Sequence, residues 1–125
     1  MKGDVRDQVE DILGHPYTGL RVRYWGGEDR NAWILEEIGK EEPITFGIVV
    51  KQNKIEQIKV LAYRESRGWE VKYPAFTQQF HNAGLKDKKL DTHIDGITGA
   101  TLSVWAMTDV ARMALYLHEF TNRQN

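Results

Sequence analysis

The chain has 125 residues, a formal net charge of −1 from 17 basic and 18 acidic side chains, and no cysteine. This length suits one domain with its own core, which we place over residues 1–125. The near-zero charge does not favour a nucleic-acid partner, since such proteins usually carry a basic patch. The lack of cysteine excludes disulfides, thiolate metal ligands and cysteine nucleophiles.

Targeting and metal signals are weak. No apolar run is long enough to predict a transmembrane helix. Residues 1–4 include a lysine but lead into no apolar stretch, so they are not a secretory signal as they stand. The histidines lack the spacing of a zinc site and indicate surface or capping imidazoles. They are His15, His81, His93 and His118.

The N-terminal part predicts one helix followed by strands. Residues 4–13 carry an apolar stripe typical of a short amphipathic helix, and Gly14 is suited to end it. Residues 15–19 predict a turn. Residues 20–25 alternate apolar and basic side chains, which predicts a half-buried strand, and residues 26–31 predict a loop.

Residues 32–39 are ambiguous. Trp33, Leu35 and Glu37 would share one face of a strand, whereas residues 34–38 would also suit a helix. We predict a strand, because turn residues bound this short segment on both sides.

A β-hairpin is the clearest prediction in the middle of the chain. Residues 44–50 are the strongest β-forming run, and Gln52-Asn53 separates them from a second run over residues 55–63. Gly47 lies inside the first strand, which indicates either a β-bulge or a close approach by another group.

Helical and connecting segments follow the hairpin. Residues 64–69 predict a charged loop, Pro74 is suited to begin a helix that runs to about Asn82, and Gly84 to end it. Residues 85–91 predict an exposed connection.

A long helix is predicted from Leu102 to about Phe120, where apolar residues recur at steps of three and four. We assign Trp105 to its core-facing stripe and expect residues 121–125 to be frayed. The fold class is therefore α+β, a small antiparallel sheet packed against this helix and one or two shorter helices.

Residues 95–101, Asp-Gly-Ile-Thr-Gly-Ala-Thr, combine turn residues, small residues and hydroxyls immediately before the long helix. A helix N-terminus presents unpaired N–H groups and favours an anion, and Thr98, Thr101 and Ser103 add donors. The spacing matches neither a Walker A loop nor a Rossmann fingerprint. These residues alone fit a phosphate site or a plain helix cap.

Residues 95–103 closely resemble the flavinylation motif of the FMN-binding domain family. That family includes flavin-bearing subunits of the sodium-pumping NADH:quinone oxidoreductase and of the Rnf electron-transfer complex. The resemblance implies that Thr101 carries FMN through a phosphoester, made from FAD by a separate magnesium-dependent flavin transferase. The implied cofactor site consists of Asp95, Gly96, Ile97, Thr98, Gly99, Ala100, Thr101, Leu102 and Ser103.

The resemblance extends upstream and covers residues 43–117. Residues 43–56 are similar to the opening hairpin of the family. Residues 63–68 are similar to its second signature, His-x-Glu-Thr-Pro-Gly, of which Glu65 and Gly68 remain. The departures are Tyr63 for His, Ser66 for Thr and Arg67 for Pro.

The upstream signature implies that Glu65, Ser66 and Trp69 lie near the isoalloxazine ring. We expect Glu65 to form a hydrogen bond with a flavin edge and not to abstract a proton. Ser103 fits either a phosphate contact or a bond within the first helical turn. Trp105, assigned above to the core, has stacking on the cofactor as its alternative role. We assign no catalytic residue and no metal ligand.

The resemblance implies an electron carrier more than a stand-alone enzyme, working between redox donor and acceptor proteins outside the cytoplasm. Membrane-bound partners are among those it implies, and a leader or anchor is expected outside this sequence. Two alternatives stay open, a non-redox periplasmic binding module and a flavin-dependent reductase with its own substrate.

Overall fold

The computed structural model describes residues 3–14, 23–26, 29–66 and 68–124. The helices are α1 (Gly3–Leu13), α2 (Pro74–Thr77) and α3 (Thr101–Gln124), and two 3₁₀ turns cover Trp69–Lys72 and Gln78–Phe80. The strands are β1 (Arg23–Gly26), β2 (Arg30–Ile38), β3 (Pro43–Lys51), β4 (Lys54–Ala62), β5 (Leu85–Lys86) and β6 (Lys89–Leu90). The α+β prediction is confirmed.

The main sheet has four antiparallel strands in the order β1-β2-β3-β4. The predicted hairpin is confirmed, since Lys51 pairs with Lys54 around a two-residue turn. Gln52 and Asn53 in this turn have φ values of 52° and 66°. Two successive positive φ values match the right-handed twist of the flanking strands.

The ambiguous segment is strand β2, as predicted. Trp33, Leu35 and Glu37 are all buried on one face, and their neighbours along the strand are more exposed. Strand β2 begins at Arg30, so Arg30 and Asn31 are strand residues and the loop prediction for them is wrong. Both pair with the end of β3, which extends the ladder by two residues.

Gly47 lies at a close approach of the Leu61 side chain and not at a bulge. A Cβ built at Gly47 would lie 3.2 Å from Cδ1 of Leu61. The register shifts of the β3–β4 pair lie elsewhere, between Thr45 and Phe46 and between Val49 and Val50.

Helix α3 packs on the inner face of the sheet and α1 packs on α3. The core between them is formed by alternate strand residues and by one broad side of α3. Arg112 ties α3 to its neighbours, donating to the backbone oxygens of Lys88 (2.6 Å) and Ile12 (3.1 Å). None of the helices in the described part of the chain combines the length with the apolar character that a bilayer-spanning segment needs.

Two segments differ from their predictions. Residues 85–91 contain the hairpin β5–β6 and not only an exposed connection, because Leu85 and Leu90 pack against the core. Helix α3 continues through Gln124 and is therefore longer than predicted, since its predicted end was at about Phe120.

The remaining predictions for helices and strands hold in outline. The helix beginning at Pro74 is confirmed, although its second half is the 3₁₀ turn Gln78–Phe80. Strand β1 is described from Arg23 onward. The rest of the predicted strand over residues 20–25 and the turn over residues 15–19 lie outside the described residues, as does Arg67.

Candidate functional site

Residues 95–101 form the turn that leads into α3. The N–H of Ala100 donates to the oxygen of Ile97 (3.0 Å), and the oxygen of Ala100 accepts from the N–H of Val104 (3.0 Å). Ala100 therefore occupies the N-cap position and Thr101 is the first helical residue. An alanine side chain has no acceptor, so the N-cap residue itself does not bond the first-turn N–H groups of α3.

The side chain of Gln79 holds the start of this turn. Its Oε1 accepts from the N–H of Asp95 (2.7 Å), and its Nε2 donates to the oxygen of Asp95 (3.1 Å). The carboxylate of Asp95 is exposed and lies 3.2 Å from Nε2 of His93. Sequence reasoning missed Gln79, because nothing in its local pattern marks a partner 16 residues away.

The hydroxyls at the start of α3 have different environments. Thr98 and Thr101 are exposed, whereas Ser103 is buried. The Oγ of Ser103 lies 2.9 Å from the phenolic oxygen of Tyr63, and the two share a hydrogen bond. Ser103 thus contacts a side chain of the upstream signature. The two predicted roles, a phosphate contact and a bond within the first helical turn, did not include this contact.

Tyr63 and Gly68, from the upstream signature, lie directly on the first turn of α3. Gly68 has φ +83°, and a Cβ there would lie 2.7 Å from the Tyr63 oxygen and 3.2 Å from Oγ of Ser103. The tyrosine that replaces the histidine of the family signature therefore fills the space beside Gly68. The two predicted motifs are in contact.

Glu65 interacts with the β2–β3 turn. Its Oε1 accepts from the backbone N–H groups of Glu41 (2.6 Å), Glu42 (2.6 Å) and Lys40 (3.1 Å). The hydrogen bonds from Glu41 and Glu42 hold the pKa of Glu65 below its usual value. The predicted hydrogen bond from Glu65 to a flavin edge stays a prediction.

A cavity of about 450 Å³ lies between these segments, and we call it the Glu65 cavity. This volume falls in the range of roughly 300–1,000 Å³ seen for ligand sites. It brings together predicted site residues from both motifs, namely Glu65, Ser66, Gly99, Ala100, Thr101, Leu102 and Ser103. Lys40, Glu41 and Gly68 complete the lining.

The other predicted site residues lie outside the Glu65 cavity. Asp95, Gly96 and Ile97 line a separate, shallower depression beside Tyr73, and Thr98 is exposed. Trp69 is on the surface, where its ring packs edge-on against Tyr73 with centroids 5.4 Å apart.

A second cavity, of about 540 Å³, also includes Thr101 in its lining and is here called the Trp105 cavity. Val104 and Ile94 supply apolar lining, and Lys89 and His93 supply polar lining. Trp105 is 61% exposed, so its assignment to the core is wrong. Val104 and Met107 face the core here, which turns Trp105 outward one turn after Thr101.

His118 also differs from its prediction. It is fully buried, with Nδ1 2.8 Å from Oδ1 of Asn31, and so is not a surface imidazole. No cluster of three metal-ligating side chains occurs in the part of the chain that the structure describes.

These features define a class of protein. A small α+β domain presents an exposed threonine hydroxyl at the N-terminus of a helix whose N-cap residue is alanine, and this threonine borders two cavities, which suits a cofactor with an anionic group. A family model described as FMN-binding domain matches residues 39–116, more than half of the chain. The chain therefore belongs to the FMN-binding domain family, and the predicted resemblance is confirmed. No curated protein matches it.

The residues at the site fit FMN. The phosphate of the cofactor could be received by the first-turn N–H groups of α3. The Glu65 cavity supplies polar groups from Lys40 and Ser66, and Leu102 adds an apolar side chain at its edge. Thr101 borders both cavities.

Proposed function

We propose that the hydroxyl of Thr101 carries FMN through a phosphoester and that the domain works as an electron carrier. The observation that supports this most directly is the position of Thr101. It is exposed, it is the first residue of α3, and it borders both cavities. An ester formed there would hold its phosphate beside the positive end of the helix.

The attachment we propose is a phosphoryl-group transfer from FAD. A bond forms between Oγ of Thr101 and the FMN-side phosphorus, the bond between that phosphorus and the bridging oxygen of the pyrophosphate breaks, and AMP leaves. The hydroxyl proton passes to a base. In this proposal a separate flavin transferase, with magnesium, supplies that base, and this chain is its substrate.

Bound FMN supplies electron transfer, and the chain would orient the cofactor and adjust its potential. Leu102, which lines the Glu65 cavity, is 41% exposed. Trp69, which follows the lining residue Gly68 in the chain, is 46% exposed. An open rim of this kind is suited to electron entry and exit. Redox donor and acceptor proteins, membrane-bound ones among them, are the partners we propose, at a location outside the cytoplasm.

The test is co-expression with a flavin transferase, followed by intact mass and by a denaturing gel viewed under ultraviolet light. The wild-type chain should gain the mass of FMN less one water, and fluorescence should survive denaturation. Thr101→Ala should lose both signals completely. Thr108→Ala is the matched control, since Thr108 lies in the same helix and lines the Trp105 cavity but is outside the motif.

A wild-type chain that gains no flavin under these conditions would contradict the covalent proposal. The non-redox binding module would then be the favoured function of the protein. An adduct that persists in Thr101→Ala would assign the ester to another residue, and Thr98→Ala would then be examined, because its hydroxyl is also exposed.

A flavin-dependent reductase is the second candidate, and the Trp105 cavity favours it. A space of about 540 Å³ next to Thr101 could hold a small substrate. A reductase predicts saturable turnover of a defined acceptor that falls when Trp105 is replaced by Ala. An electron carrier predicts electron exchange with several acceptors, without saturation by a small molecule.

A further inference from the structure

The turn between β2 and β3 is held from a distance by a single carboxylate. The N–H groups of Lys40, Glu41 and Glu42 all point to Oε1 of Glu65, at 3.1, 2.6 and 2.6 Å. Hydrogen bonds to a charged acceptor are roughly twice as strong as neutral ones. Three of them converge on one oxygen here, which gives this turn a fixed position relative to residue 65.

A neighbouring side chain supports the same connection. Nη1 of Arg64 donates to the oxygen of Pro43 (2.7 Å) and to Oγ1 of Thr45 (3.2 Å). Arg64 therefore holds the beginning of β3, and Glu65 holds the turn just before it. Because the two residues are adjacent, the loop over residues 63–66 and the β2–β3 turn form one unit.

This unit makes one wall of the Glu65 cavity. Lys40 and Glu41 line the cavity together with Glu65, and Thr101 is also part of its lining. The distance between the wall and Thr101 therefore depends on the hydrogen bonds of Glu65. The carboxylate is also a fixed negative charge in the lining, and its lowered pKa keeps it ionised at neutral pH.

We propose that Glu65 is a positioning residue of the flavin site, which fixes the β2–β3 turn as one wall of the cavity that Thr101 also lines and sets the charge beside the cofactor. The part that concerns the cofactor rests on the proposed function. This role differs from the expected hydrogen bond to a flavin edge, because Glu65 acts through the turn.

Two substitutions separate the shape of this wall from its charge. Glu65→Gln keeps a carbonyl oxygen at the same reach and removes the charge, whereas Glu65→Ala removes the acceptor as well. Glu42→Gln is the matched control. It removes one negative charge from the same turn and leaves the backbone N–H of Glu42 in place.

The first measurement is hydrogen exchange at the amides of residues 40–42 in the flavin-free chain. Loss of charge-assisted bonds in Glu65→Ala should speed exchange there by roughly tenfold or more. Glu65→Gln should give an intermediate rate, and Glu42→Gln should match the wild type. Unchanged exchange in Glu65→Ala would overturn the proposal, and this measurement needs no flavin.

The second measurement is the midpoint potential of the flavin-loaded chain. Removing a nearby negative charge favours the reduced cofactor, so Glu65→Gln should raise the potential more than Glu42→Gln does. Equal potentials in Glu65→Gln and wild type would overturn the electrostatic part. A wild-type chain that takes no flavin would refute the proposed function, and the exchange data would still decide whether Glu65 positions the turn.

Discussion

Gly68 shows how one residue makes the contact between the two motifs possible. Its φ is +83°, and a Cβ there would lie 2.7 Å from the Tyr63 oxygen. Gly68→Ala should therefore add a steric clash to the cost of a left-handed backbone, which is about 1–2 kcal/mol for a non-glycine residue. We expect a total loss of about 2–4 kcal/mol in the free energy of unfolding, measured with urea.

Gly14→Ala is the control for this substitution. Gly14 has φ +80°, but a Cβ there would meet nothing within 4 Å. Its variant should lose only the backbone part, about 1–2 kcal/mol. Equal losses in the two variants would show that the Tyr63 side chain moves away easily and that the packing of the loop on α3 is not tight.

At the level of single residues, the sequence indicated that a long helix begins near Thr101, but it did not indicate what surrounds this residue. Its motif is local, and a helix N-terminus has the same geometry wherever it occurs. The contacts of Ser103 and Glu65 depend on residues 40 and 23–25 positions away. Such partners are set by the tertiary fold, which a local pattern does not contain.

Among the elements, α3 has two faces that differ in their effect on stability. Met113 is fully buried, whereas Trp105 is 61% exposed on the same helix. Met113→Ala should lower the free energy of unfolding by about 2–5 kcal/mol, because it removes core contacts and leaves a cavity. Trp105→Ala should change it by less than about 1 kcal/mol.

Chemical denaturation of both variants checks this prediction. A loss of several kcal/mol in Trp105→Ala would mean that the ring packs against more of the chain than its exposure indicates. A small loss in Met113→Ala would mean that the core of α3 collapses around the gap at little cost.

The elements themselves were largely predictable because their signals are local. Strand β2 was recognised from the alternation of Trp33, Leu35 and Glu37, which a two-residue period explains. The β5–β6 hairpin was missed, since Asp87 and Lys88 adopt φ values of 54° and 66° without the Asn-Gly or Asp-Gly pair that marks such turns. Trp105 was misplaced because a three- and four-residue spacing does not fix where the buried face begins.

For the whole molecule, a buried histidine connects three parts of the fold. Nε2 of His118 in α3 accepts from the N–H of Asn53 (3.2 Å), in the β3–β4 turn. Its Nδ1 lies 2.8 Å from Oδ1 of Asn31, in β2. Because Nε2 is an acceptor, Nδ1 carries the proton and donates to Asn31, and the imidazole is neutral in the folded chain.

The buried position of His118 makes folding depend on pH in a defined direction. Burial lowers the pKa of His118, and the attraction of Asp29 opposes this only in part. The unfolded chain binds a proton at His118 near the ordinary pKa of about 6.5, whereas the folded chain binds it only at a lower pH. The stabilising effect of the neutral form is therefore complete above about pH 6.5 and is lost as the pH falls below it.

We expect the free energy of unfolding of the wild type to fall between pH 7 and 5, with His118 contributing up to about 1.4 kcal/mol per pH unit. His118→Gln should be less stable at pH 7 but should show a flatter pH dependence over this interval. His93→Gln should keep the slope of the wild type, because His93 is exposed beside Asp95. The opposite result, in which His118→Gln retains that slope and His93→Gln loses it, would contradict this prediction. The acid sensitivity would then arise at the motif loop and not in the core, and the His118 network would stay intact as the chain is acidified.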